Sequence, residues 1–434
     1  MTEKITIFWF RRDLRLNDNT GLHQALKSSN RVLPLFIFDT EILDKLADKA
    51  DRRVNFIYSA IEKLYSQLVD IGSSMLVMYG RPADAFRQLS EKYLIEAVYT
   101  NHDYEPYALK RDSAVAELLK SRQIPLNSYK DQVIFEEQEI LKSDGTPYTV
   151  FTPYSKVWKQ KLGLQGIKSE PGEKLESNFL KTASLPFPSL ESIGFSRSHN
   201  TYPSPEIDET IIRNYHLTRN LPYMQGTSNM SVHLRFGTVS IRELVIKALS
   251  LNEQWLNELI WREFFMMILS NFPLVVNRSF KPKYDFIAWR NNEAEFLKWC
   301  NGETGYPLVD AGMRELNETG LMHNRVRMVV ASFLTKHLLI DWRWGENYFA
   351  EKLLDFELSS NNGNWQWAAG TGCDAAPYFR IFNPMEQAAR YDPESAYIKK
   401  WVKEAGTQAY SVPLVDHKSA RQRALDAYKK ALNP

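Results

Sequence analysis

The amino-acid sequence predicts an α/β N-terminal domain built on a parallel, Rossmann-like sheet, followed by an all-α C-terminal domain. Three observations predict this fold class. The chain has 434 residues, more than one ordinary hydrophobic core accommodates, so two domains are expected. In the first third of the chain, short β-branched runs alternate with helical patterns, which is typical of a parallel sheet covered by helices. In the second half, apolar residues recur with helical spacing almost to the end.

The predicted first domain covers residues 1–135. Its strands are expected in ITIFWF, VLPLFIFD, SSMLVMYG and IEAVYT, and its helices in RRVNFIYSAIEKLYSQLVD and PADAFRQLSEKYL. The GxGxxG fingerprint of dinucleotide-binding sheets is missing, so nothing supports a nucleotide site in this sheet. The charged segment FRRDLRLNDN follows the first strand, where ligands often bind, but a solvated turn with ion pairs explains it equally well.

Residues 136–205 are predicted to form a long connection over the surface, because EPGEK, SLPFPSLESIGF and TYPSPE are rich in Pro, Ser and Gly. Residues 206–434 then form the predicted helical domain. Its helices are expected in segments such as SIRELVIKALSL, QWLNELIWREFFMMIL, NRVRMVVASFLTKHLL and SARQRALDAYKKAL.

The composition is that of a globular protein, with 44% hydrophobic and 24% charged residues and a net charge of +2. This charge neither indicates nor excludes nucleic-acid binding, because a basic patch can lie within a neutral total. Cys300 and Cys373 give neither a disulfide framework nor a zinc-site spacing, so no metal is predicted and a cytoplasmic location is expected. The run FFMMILSNFPLVV is too short to span a bilayer, so no membrane segment is expected.

Two helical segments place reactive side chains on one face. Glu258, Trp261 and Arg262 follow the spacing i, i+3, i+4. On a surface helix they would form an ordinary ion pair beside an aromatic ring. In a pocket, the indole would be a flat apolar platform, and Glu258, pushed toward its neutral form by desolvation, could donate a hydrogen bond to a carbonyl.

In the second segment, Asn324, Arg327 and Met328 share a face, while Arg325 points about a quarter-turn away. An Asn amide reads base or lactam edges well, and a Met side chain packs adaptably against flat ligands. A capped, salt-bridged core helix explains the same residues about as well.

Two further segments carry polar side chains in Gly-rich surroundings. GTSNMSVHLRFGTVS supplies hydroxyls and backbone N–H groups at a helix start, which suits an anion such as phosphate, although Ser and Thr are also routine N-caps. Residues 355–380 are predicted to be an irregular, functional loop, since they are too aromatic and amide-rich for a simple connector. Trp261, Met328 and Trp367 together look like walls of one slot.

The motifs WFRRDLRLNDN, GTSNMSVHLRFGTVS, NELIWREF, TGYPLVDAGMREL, MHNRVRM and NNGNWQWAAGTGCDAAPYFRIFNP together resemble the photolyase/cryptochrome superfamily. The resemblance covers essentially the whole chain and is closest to class I cyclobutane pyrimidine dimer photolyases. It implies a helical domain that binds FAD, and light-driven repair of dimers by electron transfer from reduced FAD to a flipped-out dimer. UV-damaged DNA is the implied partner, and a monomer is the implied state.

The resemblance also implies which residues contact FAD. Those expected at its phosphates and ribityl chain are Tyr215, Thr227, Ser228, Asn229, Met230 and Ser231. Arg327 and Asp355 would form an ion pair beside the flavin ring. Asn361 would face flavin N5, where an amide adds no negative charge. Glu357 replaces the family's usual Asp, which leaves open which carboxylate reaches flavin N3.

The lesion side and the electron route are implied in the same way. Glu258 and Asn324 would hydrogen-bond the thymine C4 carbonyl and the neighbouring base edges. Trp261 and Trp367 would wall the slot, and Met328 would cap it. The implied DNA phosphate contacts are Arg262, Arg325 and Arg380. Electrons would reach the flavin through Trp365, Trp342 and Trp289, with Trp299 as an alternative to Trp289.

Three readings of function compete within the resemblance. Dimer repair is favoured, a cryptochrome-type blue-light photoreceptor is the first alternative, and repair of the 6-4 photoproduct is the second. The sequence does not decide whether a second antenna chromophore is present, or whether it is methenyltetrahydrofolate or 8-hydroxy-5-deazaflavin. Leu321 stands where relatives usually have an aromatic, and Gly370 stands where Ser is common.

Overall fold

The computed structural model describes residues 4–29, 31–170, 173–198 and 200–433. The chain divides into two compact units that alternate along the sequence. The first unit consists of Met1–Glu136, Leu162–Glu206 and Asn229–Lys247. The second unit consists of Glu137–Lys161, Ile207–Ser228 and Ala248–Pro434.

The segment expected to be a linker, residues 136–205, is therefore shared between the two units. Its apolar side chains explain why. Phe179 and Leu190 are buried in the first unit, where the Leu180 N–H donates to the Val32 carbonyl at 2.8 Å. Trp158 is buried in the second unit, where its Nε1 donates to Glu263 at 2.5 Å. Pro and Ser mark the turns, but the residues between them pack.

A five-stranded sheet forms the centre of the first unit, with the strand order β3-β2-β1-β4-β5. The strands are β1 (Lys4–Phe10), β2 (Val32–Asp39), β3 (Leu76–Gly80), β4 (Leu94–Asn101) and β5 (Leu126–Tyr129). All neighbouring strands are parallel. The predicted α/β class is confirmed. The sequence did not indicate β5, because this strand has only four residues and lacks a β-branched run.

Five helices follow the strands in this part of the chain. They are α1 (Thr20–Ser28), α2 (Thr40–Leu43), α3 (Arg52–Asp70), α4 (Pro82–Lys92) and α5 (Pro106–Ser121). Pro82 and Pro106 begin their helices, where a missing N–H breaks no helical hydrogen bond. Asp51 caps α3 by accepting from the backbone N–H of Arg53 and Val54.

Four buried charges tie the first unit together. Asp131 accepts from Arg15 at 2.7 Å and from Arg242 at 2.8 Å, and Arg242 also pairs with Asp18 at 3.0 Å. Burial raises the pKa of Asp131, but the two guanidiniums outweigh it and lower the pKa to about 2. Arg242 belongs to the inserted segment Asn229–Lys247, so this network fastens the insertion to the sheet.

The remaining elements are helical, as predicted for residues 206–434, but Phe151–Gln165 is a helix within the segment expected to be a linker. The helices are α6 (Phe151–Gln165), α7 (Glu209–Arg213), α8 (Tyr215–Thr218), α9 (Ser231–Phe236), α10 (Ile241–Leu251), α11 (Glu253–Asn271), α12 (Glu293–Asn301), α13 (Pro307–Thr319), α14 (Asn324–Ser332), α15 (Trp342–Lys352), α16 (Leu358–Ala369), α17 (Pro384–Tyr391), α18 (Ala396–Trp401) and α19 (His417–Leu432). A wider, π-type turn, Phe333–His337, follows α14. Among the described residues, no helix has the combined length and apolarity that crossing a bilayer requires.

The prediction of an irregular loop over residues 355–380 is wrong for half of that segment. Residues Leu358–Ala369 form α16, which is capped by Gly370 in the left-handed conformation at φ 84°. The helix packs against α11, α14 and α15, so most of its sides are covered and no apolar stripe marks it in the sequence. Gly363 permits the contact with α11, because a Cβ there would lie 2.1 Å from the Phe265 ring.

Candidate functional site

A cavity in the second unit lies between α14, α15 and α16. Its polar lining consists of Asn324, Arg327, Asp355, Glu357, Ser360, Asn361 and Asn364. Its apolar lining consists of Met328, Ala331, Phe349, Leu353, Trp365, Trp367 and Ala368. The cavity volume is about 100 Å³, below the roughly 300–1,000 Å³ of drug-sized ligand sites. The cavity is therefore too small for a whole dinucleotide.

The ion pair expected between Arg327 and Asp355 is present. Arg327 Nη2 lies 2.9 and 3.2 Å from the two carboxylate oxygens of Asp355, and its Nε donates to the Met322 carbonyl at 2.8 Å. The Asp355 side chain is 4% exposed. A guanidinium held on both sides has a fixed direction, so it can present its remaining donors to a ligand. Its place beside a flavin stays a prediction.

Glu357 and Arg262 form a second ion pair at the cavity. Arg262 Nη2 is 3.2 Å from Glu357 Oε1, and the Ser360 hydroxyl donates to the other carboxylate oxygen at 2.9 Å. Glu357 stands at the N-terminus of α16, where a carboxylate is favoured by the helix dipole. Arg262, expected to contact a DNA phosphate, is instead engaged with this carboxylate in the structure.

Glu258 does not pair with Arg262, its neighbour on α11. Its carboxyl forms an ion pair with Arg219 and accepts from Gln254 at 3.0 Å. A neutral Glu258 donating to a carbonyl was expected, but the partner here is a cation. Arg219, which also lies 5.5 Å from the Tyr215 ring centre, was missed in the sequence. Its only signal is its spacing of one helical turn after Tyr215.

Asn361 lines the cavity, and a hydrogen bond to α15 fixes its side chain. Its side-chain amide donates to the Glu346 carbonyl at 3.1 Å, and the Asn362 amide donates to the Glu346 carboxyl at 3.0 Å. Burial raises the pKa of the Glu346 carboxyl to about 7 against the lowering effects of the Asn362 hydrogen bond and of Arg343. No sequence pattern had pointed to Glu346.

Trp365 is buried and lines the cavity, as the electron route requires. Its aromatic contacts are with Phe349, at a ring-centre distance of 5.0 Å, and with Trp299 at 6.1 Å. Within the described ranges, no ring contact joins Trp365 to Trp342, although both belong to the same core. Trp289 instead meets Tyr428 of α19 at 5.9 Å. Trp299, expected only as an alternative to Trp289, is thus the indole in ring contact with Trp365.

The residues expected on the lesion side are only partly brought together. Asn324, Met328 and Trp367 line the cavity, whereas Trp261 does not. Trp261 stacks on Phe151 with ring centres 3.7 Å apart and planes 5° from parallel. Phe151 is a second residue that the sequence did not reveal, since it lies in the segment expected to be a linker.

The two other arginines expected at phosphates differ in their surroundings. Arg325 donates to the Asn220 side chain at 2.7 Å and lies 4.4 Å from the Tyr391 ring centre. Burial lowers the pKa of Arg325. Arg380 is exposed. Of these two arginines, Arg380 can bind a new anion directly, whereas Arg325 would first have to give up its hydrogen bond to Asn220 or its contact with the Tyr391 ring.

The residues expected at the FAD phosphates are divided between the units. Tyr215, Thr227 and Ser228 belong to the second unit, and there Ser228 accepts from Trp255 Nε1 at 3.3 Å. Burial raises the pKa of Tyr215. Asn229, Met230 and Ser231 belong to the first unit, where Ser231 begins α9. The described part of the chain holds no group of three or more His, Cys, Asp or Glu side chains suited to a metal.

Comparison with known proteins gives one consistent result. Residues 255–408 match the family described as the FAD binding domain of DNA photolyase, and residues 6–173 match the family described as DNA photolyase. A deoxyribodipyrimidine photo-lyase of Synechococcus sp. is 37% identical over 97% of this chain and 95% of its own.

Two solved structures resemble the fold over nearly its full length. A class III photolyase from Agrobacterium tumefaciens has a TM-score of 0.86 and 30% identity, covering 100% of this chain and 99% of its own. A cryptochrome from Synechocystis sp. has a TM-score of 0.83 and 26% identity, covering 98% of this chain and 99% of its own.

Proposed function

Because the chain belongs to the DNA photolyase family, we propose that it splits cyclobutane pyrimidine dimers in DNA by light-driven electron transfer from FAD. It is an enzyme of the deoxyribodipyrimidine photo-lyase class, which has FAD as its cofactor and UV-damaged DNA as its substrate. The observation that carries the proposal is that Asn324 and Met328 of α14 and Asn361, Trp365 and Trp367 of α16 line one cavity.

The donors of the cavity fit the ring of a flavin. The Arg327–Asp355 pair offers directed N–H groups to carbonyls, and the Asn361 amide offers a second hydrogen after its bond to Glu346. Bound FAD, fully reduced, supplies the light absorption and the electron. Asp355 and Glu357 are each held in an ion pair and both line the cavity, so both carboxylates are candidates for accepting from flavin N3.

Asn324 and Met328 read and cap the dimer in this proposal, and Trp367 gives it an apolar wall. Glu258, paired with Arg219, can accept a hydrogen bond from a thymine imide N–H. Donation to the C4 carbonyl requires that Glu258 leave Arg219 and take up a proton. Trp261, braced by Phe151, would form the opposite wall.

Charge around the lesion comes from arginines. Arg380 is exposed and would contact a phosphate directly, while Arg325 and Arg262 would do so on exchanging Asn220 and Glu357 for DNA. The FAD phosphates would be bound by Tyr215, Thr227, Ser228, Asn229, Met230 and Ser231. A second chromophore, methenyltetrahydrofolate or 8-hydroxy-5-deazaflavin, and a monomeric state remain proposals, which absorbance and sedimentation of the purified protein test.

The test is the absorbance near the thymine maximum of UV-irradiated oligo(dT), followed with reduced protein in blue light and in darkness. We expect recovery only in light. Asn324→Ala should lower dimer affinity about tenfold, since a lost hydrogen bond of about 1.4 kcal/mol corresponds to that factor. Lys120→Ala, an exposed residue of the first unit, is the control and should match the unchanged protein.

The similarity to a Synechocystis cryptochrome supports one second candidate, a blue-light photoreceptor. The photoreceptor function is supported if the flavin of the FAD-loaded protein can be photoreduced while the protein leaves dimers intact. Turnover of a 6-4 photoproduct oligonucleotide, with none of a dimer, would favour the remaining alternative.

A further inference from the structure

Glu346 is a buried carboxyl to which the proposed reaction assigns no task. It lies on α15, and its residue is 7% exposed. Helical spacing puts Trp342, Gly345 and Phe349 on the same face of α15. That face packs on α16, because a Cβ at Gly345 would lie 2.1 Å from the Trp365 ring. Glu346 is therefore enclosed between α15 and α16.

The contacts of Glu346 lead to the cavity wall. Its backbone carbonyl accepts from Asn361, and its carboxyl accepts from Asn362. Asn361 and Trp365, one turn apart on α16, both line the cavity. The charge state of Glu346 thus acts directly behind two lining residues, in a region of low dielectric where charges interact strongly.

Few charged groups act on the Glu346 carboxyl. The charged groups that act on it are Arg343 and Asp341, both at the start of α15. Arg343 is already paired with Asp341 at 3.1 Å and with Asp285 at 2.8 Å. The residues of α16 that contact Glu346 are uncharged amides. In the part of the chain that the structure describes, no Lys, Arg or His forms a salt bridge with it.

We propose that Glu346 is a positioning residue that couples the binding of a proton by the protein to the negative charge carried by the ligand in the cavity. The inference rests on the proposed function, in which that ligand is the flavin. A ligand that gains negative charge favours the protonated carboxyl. By reciprocity, the protonated carboxyl favours the more negative form of the ligand. Glu346 touches no reacting atom. It acts through its hydrogen bonds with Asn361 and Asn362 and through the electric field of its carboxyl group.

The first experiment measures the stability of the purified FAD-loaded protein and needs no activity. The raised pKa means that the folded protein holds the Glu346 proton between pH 4.5 and about 7, where the unfolded chain has lost it. Stability should therefore fall as the pH rises through that window. Glu346→Gln should remove this slope in urea titrations, and Glu351→Gln, an exposed acid on the same helix, should retain it.

The second experiment is a redox titration of the FAD-loaded protein at pH 5.5 and pH 8. At pH 8 we expect Glu346→Gln to raise the flavin midpoint potential, by about 30 mV for a tenfold change in the two-electron equilibrium. At pH 5.5 the two proteins should coincide. Equal potentials at both values, or a shift independent of pH, overturns the proposal, since a purely structural role has no pH window.

A second variant keeps the inference testable if Glu346→Gln does not fold. Arg343 lowers the pKa of Glu346, so Arg343→Gln should move the pH window of the midpoint potential upward. An unmoved window contradicts the coupling. Failure of dimer repair leaves these redox results standing, whereas a pH-independent potential with intact repair rejects only the role of Glu346.

Discussion

At the scale of single residues, the ring contacts around Trp365 bear on the route by which an electron would enter the protein and reach the proposed flavin. Trp365 meets Trp299, and Trp299 in turn stacks with Phe296 at 5.8 Å. Phe296 meets Trp344, which is partly exposed, at 5.2 Å. A continuous series of aromatic rings thus runs from the cavity toward solvent without Trp342.

We therefore expect Trp299→Phe to slow photoreduction of oxidised FAD more than Trp342→Phe does. The measurement is flavin bleaching under continuous blue light with an external thiol donor. Trp401→Phe, a partly buried indole elsewhere in the second unit, serves as the control. A larger effect of Trp342→Phe would restore the order Trp365, Trp342, Trp289 expected from the resemblance.

The residues also show which parts of the site a sequence can reveal. The pairing of Arg327 with Asp355 and the cavity positions of Asn324, Asn361 and Trp365 were anticipated, because family motifs fix them. The partner of Glu258 was not, since Arg219 lies 39 positions away and belongs to no helical face shared with it. Glu346 was missed for a related reason: burial creates its unusual pKa, and the sequence shows only an acid on a helix.

At the scale of elements, the closeness of α15 and α16 depends on Gly345. A Cβ at that position would lie 2.1 Å from Trp365 and 2.6 Å from Leu334. The helices can approach only because one of them has no side chain there. The sequence missed α16, because a helix covered on most sides has no amphipathic period to detect.

We expect Gly345→Ala to destabilise the protein by about 1–3 kcal/mol through overpacking, although alanine is the better helix former. Urea titration of the free energy of unfolding measures this change. The matched control is Gly163→Ala on α6, where a new Cβ meets nothing within 4 Å. That change should stabilise by about 0.4–1 kcal/mol. Equal effects at both sites would mean that Trp365 can move aside.

At the scale of the whole molecule, acid sensitivity should originate in the buried charge network of the first unit. The pKa of Asp131 lies at about 2, below its ordinary value of 3.8. Its ion pairs therefore stabilise fully above pH 3.8 and are lost as the pH falls toward 2, at a cost of about 2 kcal/mol. Burial against Arg15 and Arg242 makes this carboxylate the clearest acid-labile contact of the sheet.

Asp131→Asn should therefore destabilise the protein at pH 7 by about 3–5 kcal/mol, since it removes the counter-charge of the buried Arg15 and leaves Arg242 with Asp18 alone. It should also reduce the loss of stability between pH 4 and 2. Hydrogen exchange of the β1 amides reports on this unit directly. Glu96→Gln, an exposed acid of β4, is the control, and an unchanged acid profile in Asp131→Asn would contradict the assignment.

The two-domain class was predictable because the strand and helix periodicities are visible in the sequence. The boundaries between the two units were not predictable, because they depend on where the apolar side chains of residues 136–205 become buried. The interleaving has a consequence for synthesis. A nascent chain that has left the ribosome as far as residue 136 already holds the whole sheet, but Asp18 and Asp131 must wait for Arg242. At about 5–20 residues per second, that wait lasts roughly 5–20 s. During this interval the first unit holds a buried carboxylate, Asp18, whose ion-pair partner has not yet been synthesised.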